Sequence, residues 1–190
     1  MNSYKGVTLI EMMIVIAIAA ILLAVAAPSF RSMVIRSNID SLVDDFATAV
    51  ITARTEAASR GREVMVCADD ACRGTTWSDG WFVMTTDADG DLEQIAAFDN
   101  SSEYPIALKK YEGATESATT SIVFTAQGYN KEQSRYVFTA CEPNTPVKIM
   151  RGVTVELSGR AYQTDRNGTL KEARFDKGDG NVETKDLGCS

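Results

Sequence analysis

From residue 12 to residue 27 the chain carries no polar side chain, and residues 7–10 extend this run toward the N-terminus with Thr8 as their one polar member. At about 1.5 Å per helical residue, such a run is long enough to cross a hydrocarbon core of about 30 Å. One acid, Glu11, lies inside it. From Ser29 the pattern changes. Ile35, Ile39, Leu42, Phe46, Ala49, Ala53 and Ala57 recur at intervals of three or four, while Arg36, Asp40, Asp44, Asp45 and Arg54 fall off that stripe. This is the period of an amphipathic helix that buries one face, and Gly61 is its predicted C-terminal stop. A single helix is therefore expected to run from a membrane into a folded head. Beyond Gly61, β-rich stretches separated by turn residues predict strands at 63–66, 80–86, 92–98, 106–111, 121–126, 135–141, 147–150 and 153–157. One long helix followed by strands is an α+β pattern: a long N-terminal transmembrane and stalk α-helix packed on an antiparallel β-sheet head.

Composition narrows the chemistry. The chain has 190 residues, 45% of them apolar, enough for one ordinary core and one head domain. Its formal net charge is −7, and the first six residues contain one lysine and no acid, so the remainder carries −8. A surface of that sign repels phosphate backbones unless a basic patch is segregated on it. There is no histidine, which removes the commonest general base at neutral pH and every Ser-His or Cys-His nucleophile pair. Neither enzymatic activity nor a metal or cofactor is expected. Cys67, Cys72, Cys141 and Cys189 make an even set without a Cys-x-x-Cys spacing, which points to disulfides in an oxidising compartment; four cysteines allow three connectivities. Two acidic glycine turns, at 87–91 and 176–181, do not follow the calcium-loop pattern and read as ordinary turns.

Glu11 needs a cation, because a carboxylate within a membrane segment costs several kcal/mol when unpaired. The layout around it also differs from a discarded secretory signal, which would place a shorter apolar region before a small-residue cleavage site. Lys5-Gly6-Val7-Thr8-Leu9-Ile10-Glu11-Met12 closely resembles the type IV prepilin signature. That resemblance implies cleavage between Gly6 and Val7, methylation of the Val7 amine, and pairing of Glu11 with the N-terminal amine of a neighbouring subunit. Pro28 matches the proline that kinks the family's assembly helix. Val7 departs from the more usual phenylalanine but keeps a bulky apolar residue. The implied organisation is a cleaved leader at 1–6, a transmembrane half-helix at 7–28, an amphipathic half-helix at 29–61 and a β-rich head at 62–190.

In the head, Val64-Met65-Val66-Cys67, then Cys72, then Trp77-Ser78-Asp79-Gly80-Trp81, resembles the H-type pseudopilin and FimT/FimU minor-pilin group. Trp77 and Trp81 are read as anchors of the first hairpin on the helix, since buried aromatics dominate core energetics. Pairings Cys67–Cys72 and Cys141–Cys189 are expected, worth roughly 2 and about 4 kcal/mol in the loop-closure model. The cysteine placed almost at the C-terminus is FimU-like and favours a minor pilin that helps initiate or cap a type IV pilus over an H-type pseudopilin of type II secretion. A third reading is DNA capture during transformation. FimT-like proteins with that role have a Gly-Arg pair followed by a second arginine, and Gly159-Arg160 is followed here by Tyr162. Lys148, Arg151, Arg160 and Arg166 are the candidate DNA contacts, but a solvated strand face explains them better and DNA is not an expected partner. The resemblance implies as partners other minor and major pilins, the prepilin peptidase, the inner-membrane assembly platform and a tip adhesin. It implies a single-pass inner-membrane protein with a periplasmic head that moves to a cell-surface pilus.

Overall fold

The computed structural model describes residues 8–100, 104–113, 115–142, 149–163, 175–176 and 182–183. Two compact units divide the chain, Met1–Ser37 and Asn38–Ser190. Helix α1 spans Leu9–Arg60, 52 residues, and Gly61 ends it as expected, donating its N–H to the Ala57 carbonyl at a φ of 66°. In the first unit the apolar stretch has a mean hydropathy of 2.9 and none of it is buried. The backbone is helical through position 28.

In the second unit the stripe read from the sequence becomes the core. Ile39, Leu42, Phe46, Ala49, Ala53 and Ala57 are buried, joined by Val43, Ala47 and Val50, whereas Thr48, Ile51 and Thr55 face out. The strands are β1 (Val64–Cys67), β2 (Gly80–Thr86), β3 (Leu92–Asp99), β4 (Ile106–Glu112), β5 (Thr115–Ala118), β6 (Ser121–Phe124), β7 (Arg135–Glu142), β8 (Ile149–Val155), β9 (Ala161–Gln163), β10 (Phe175–Asp176) and β11 (Val182–Glu183).

The head holds more than the one sheet expected. A four-stranded sheet runs β3-β2-β1-β6 and a five-stranded sheet runs β5-β4-β7-β8-β9, with β10 and β11 as a separate pair. Every ladder is antiparallel. Phe46 serves both larger sheets. Its ring stacks on Phe138 of β7 at 4.0 Å and meets Trp81 of β2 edge-on at 5.6 Å and Trp77 at 6.2 Å. Both tryptophans are buried, and Trp77 donates its indole N–H to the Thr119 carbonyl at 3.1 Å, so the anchoring role read from the sequence holds.

The predicted break between 150 and 153 is absent: β8 runs straight through Arg151-Gly152. Glycine there is a matter of space, because a Cβ on Gly152 would lie 2.5 Å from the Phe138 carbonyl oxygen of the neighbouring strand. β5 was not predicted. All four of its residues are exposed, so Thr115-Glu116-Ser117-Ala118 offers no apolar alternation to read.

Candidate assembly site

The assembly chemistry expected at the N-terminus centres on Glu11, and the structure adds a local partner. Thr8 precedes the first helical residue, and its hydroxyl oxygen accepts the Glu11 backbone N–H at 3.3 Å. In return the Glu11 carboxylate accepts the Thr8 backbone N–H at 3.4 Å and its hydroxyl at 3.5 Å. Thr8-x-x-Glu11 is a capping box, which satisfies two of the N–H groups orphaned at a helix start and places an acid at the positive end of the helix dipole. The sequence signal is a threonine followed three residues later by glutamate, and the intermolecular role expected of Glu11 does not include this local one. At 3.4–3.5 Å the reciprocal bonds are long for hydrogen bonds. Gly6, Val7 and the amine expected at Val7 lie outside the described residues, as does the Pro28 side chain. Leu9, Ile10, Met12, Met13, Ile14, Val15, Ile16, Ile18, Ile21, Leu22 and Leu23 are exposed all round the helix, which marks a segment whose solvent is lipid or other helices.

Of the head cysteines, Cys67 and Cys72 are bonded. Asp69 caps the loop that this bond closes, accepting the Arg73 and Gly74 N–H groups at 2.8 Å each. Cys141 is buried on β7, and its expected partner Cys189 lies outside the described residues.

Of the four candidate DNA contacts, the structure describes Arg151 and Arg160. Lys148 and Arg166 lie outside the described residues. Arg151 stands on the inner face of β8, with its side chain 8% exposed and its Nε 2.7 Å from Asp40 Oδ1 on α1, so it faces a carboxylate and not the solvated strand face expected for it. The pattern misled because a single Arg beside a Gly looks like a turn, while its acidic partner lies 111 positions away. Arg160 and Tyr162 are exposed. The glycine of the Gly159-Arg160 pair has a packing reason of its own: at a φ of 74°, a Cβ there would sit 2.6 Å from the Gly128 carbonyl oxygen.

One cavity of about 380 Å³ is lined by Tyr111, Glu112, Glu132, Ser134, Arg135 and Leu157 among others. Its polar groups are already answered from within. Lys110 Nζ lies 2.6 Å from Glu132 and 2.8 Å from Glu112, and the Tyr136 hydroxyl donates to Glu132 at 3.0 Å. The hydrogen bond from Lys110 holds the Glu132 carboxyl below the usual carboxylate range, and burial, more than the adjacent Glu132 charge, pushes the Tyr136 phenol up. The Asp87 loop turns inward likewise, Asp87 Oδ1 accepting the Asp89 and Asp91 N–H groups at 2.9 Å. Among the described residues no cluster of His, Cys, Asp or Glu could hold a metal ion.

Residues 42–159, more than half of the chain, match the family described as type II transport protein GspH. The chain belongs to the GspH family. Residues 1–27 match the prokaryotic N-terminal methylation motif. A fimbrial protein of Pseudomonas aeruginosa is 33% identical over 113 residues, covering 54% of this GspH-family chain and 73% of its own length. A fimbrial protein of Moraxella nonliquefaciens is 44% identical over 57 residues, 28% of this chain and 37% of that one. Two crystal structures of the type IV minor pilin FimU from Pseudomonas aeruginosa share the fold at 19% identity. One has a TM-score of 0.54 over 69% of this chain and 91% of FimU, the other 0.51 over 67% and 93%. The chain thus joins GspH-family membership to the pilin fold, and its exposed apolar helix and methylation motif fit a membrane-anchored pilin.

Proposed function

We propose that this chain is a minor pilin, a subunit that helps to initiate or cap a type IV pilus. The observation that carries the reading is the N-terminus: a methylation motif leads into a helix that is exposed and apolar on every side and has one loosely capped carboxylate at its start. In lipid, packing of apolar helices gains little over contact with acyl chains, so transfer into a filament needs a polar term. Glu11 provides it by exchanging its weak bonds to Thr8 for the charged amine of a neighbouring Val7. Cleavage after Gly6 creates that amine, and Pro28 gives the helix room to bend inside the bundle. The head, with its aromatic core around Phe46, presents surfaces to other minor and major pilins and to a tip adhesin. The prepilin peptidase and the inner-membrane assembly platform act on the chain first, while it crosses the inner membrane once with its head in the periplasm.

The family description supports a second reading, an H-type pseudopilin of type II secretion, with the same processing and the same role for Glu11. Capture of DNA is the weakest reading, since Arg151 is withdrawn into the core and Arg160 stands without a second arginine at position 162. Replacing Glu11→Val tests the assembly role. The variant should insert in the membrane at normal levels and be depleted from sheared filaments; incorporation at the wild-type level would refute it.

A further inference from the structure

The two larger sheets present four edges, and among the described residues three of them are short: β5 and β6 have four residues each and β9 has three. β3 is the exception, eight residues long with β2 as its hydrogen-bonded neighbour on one side. Proteins normally blunt an open edge with lysine, proline or brevity. β3 has none of these; its protection is limited to a bulge and to the acids Glu93 and Asp99, and its stretch Gln94-Ile95-Ala96-Ala97-Phe98 is uncharged. A register shift opposite Val83 and Met84 bends the strand, which disfavours open-ended stacking while leaving Ala96 to Asp99 in unbroken register with β2. Gln94 and Ala97 are exposed, and Ala96 and Ala97 are small enough to admit a neighbouring backbone. Ala97 is in register with half-buried Phe82, which leaves one apolar side chain of β2 beside the edge, while Met84 opposite Gln94 is buried.

Charge selects among occupants. From residue 74 to residue 108 there is no lysine or arginine and there are seven acids. Three of them, Asp91, Glu93 and Asp99, stand at or just beyond the two ends of β3, and Arg60 offsets one, at 3.5 Å from Glu93. A second copy paired antiparallel along β3 would set Glu93 against Asp99 at both ends, a like-charge arrangement that destabilises a ladder. We infer that β3 is a docking edge that accepts, by strand addition, an extended segment of another protein with alternating apolar side chains and lysine or arginine at its ends. Backbone pairing supplies the affinity, Phe82 offers an apolar contact for one side chain of the segment, and the acidic ends select its charge.

The test uses the full-length protein in detergent micelles and a fluorescein-labelled peptide, Lys-Lys-Thr-Val-Thr-Val-Thr-Val-Lys-Lys, followed by anisotropy, with hydrogen exchange read along the chain. Binding is expected at a Kd on the order of 10 µM, weakening as salt is raised, with new protection confined to β3 amides. Ala97→Lys and Gln94→Lys should each weaken it about tenfold, while Ser117→Lys on the edge of β5 adds the same charge and should leave it unchanged. Unaltered tryptophan emission in the variants confirms that the core around Trp81 is intact. The inference is overturned if the peptide does not bind, if a peptide with glutamate in place of its lysines binds as well, if Ala97→Lys has no more effect than Ser117→Lys, or if the free protein dimerises through β3.

Discussion

Arg151 and Asp40 offer a quantitative test of how the last strands of the head are held to α1. The guanidinium is almost wholly withdrawn from water at 8% exposure, whereas Asp40 keeps 44% of its side-chain surface in solvent. The two ends therefore differ in what their loss should do. Asp40→Asn keeps the shape and removes the charge that faces the buried guanidinium at 2.7 Å. Breaking a fully buried pair in this way costs about 3–5 kcal/mol, and an exposed pair contributes about 0.2–1 kcal/mol. With one partner half in water, an intermediate loss of about 2 kcal/mol is expected, or roughly 4–8 °C in Tm for a unit of this size. Arg151→Met removes the buried charge itself and replaces the aliphatic stem with a flexible apolar chain, so it should cost less, about 1 kcal/mol. The double variant should match Arg151→Met alone, because Asp40 then has nothing left to answer. Thermal unfolding of the full-length protein in micelles, followed by the emission of buried Trp77 and Trp81, reads all four corners of the cycle. A Tm for Asp40→Asn within about 1 °C of the wild type, or a larger loss from Arg151→Met than from Asp40→Asn, would show that this pair does not hold β8 to α1 in this way.

Acid should weaken the head through the Lys110 cluster: the Glu132 carboxyl is depressed below its ordinary 4.5, so its contribution is fully present above that pH and is lost as the pH falls through the depressed value, a loss that Glu132→Gln should flatten in a Tm against pH series. Non-reducing peptide mapping should find Cys67 joined to Cys72 and Cys141 to Cys189, and a peptide linking Cys67 to Cys141 would contradict the head's connectivity.

Most of the fold was legible because its strongest signals are local. The apolar run before Pro28, the three-and-four spacing from Ile39 to Ala57 and the glycine after Arg60 each report a constraint that neighbouring residues impose on one another. What could not be read depends on residues far apart in sequence. Whether Arg151 faces solvent or core is decided by Asp40, and whether Arg151-Gly152 is a turn or a strand is decided by the Phe138 carbonyl beside it. The division into two sheets is of the same kind: β1 takes β2 and β6 as neighbours while β4 takes β5 and β7, a choice of partners that no strand's own pattern specifies. At the assembly site Glu11 was visible by its charge, but its capping role had to be seen together with the place where the helix begins.

Under the proposed function, the chain is processed at Gly6 and enters a type IV filament as a minor component. Quantitative mass spectrometry of filaments sheared from the native cell surface tests it most directly. Head peptides should be far less abundant than those of the major subunit, together with an N-terminal peptide that begins at a methylated Val7. Absence of the chain from the filaments, or its presence with residues 1–6 still attached, would contradict it.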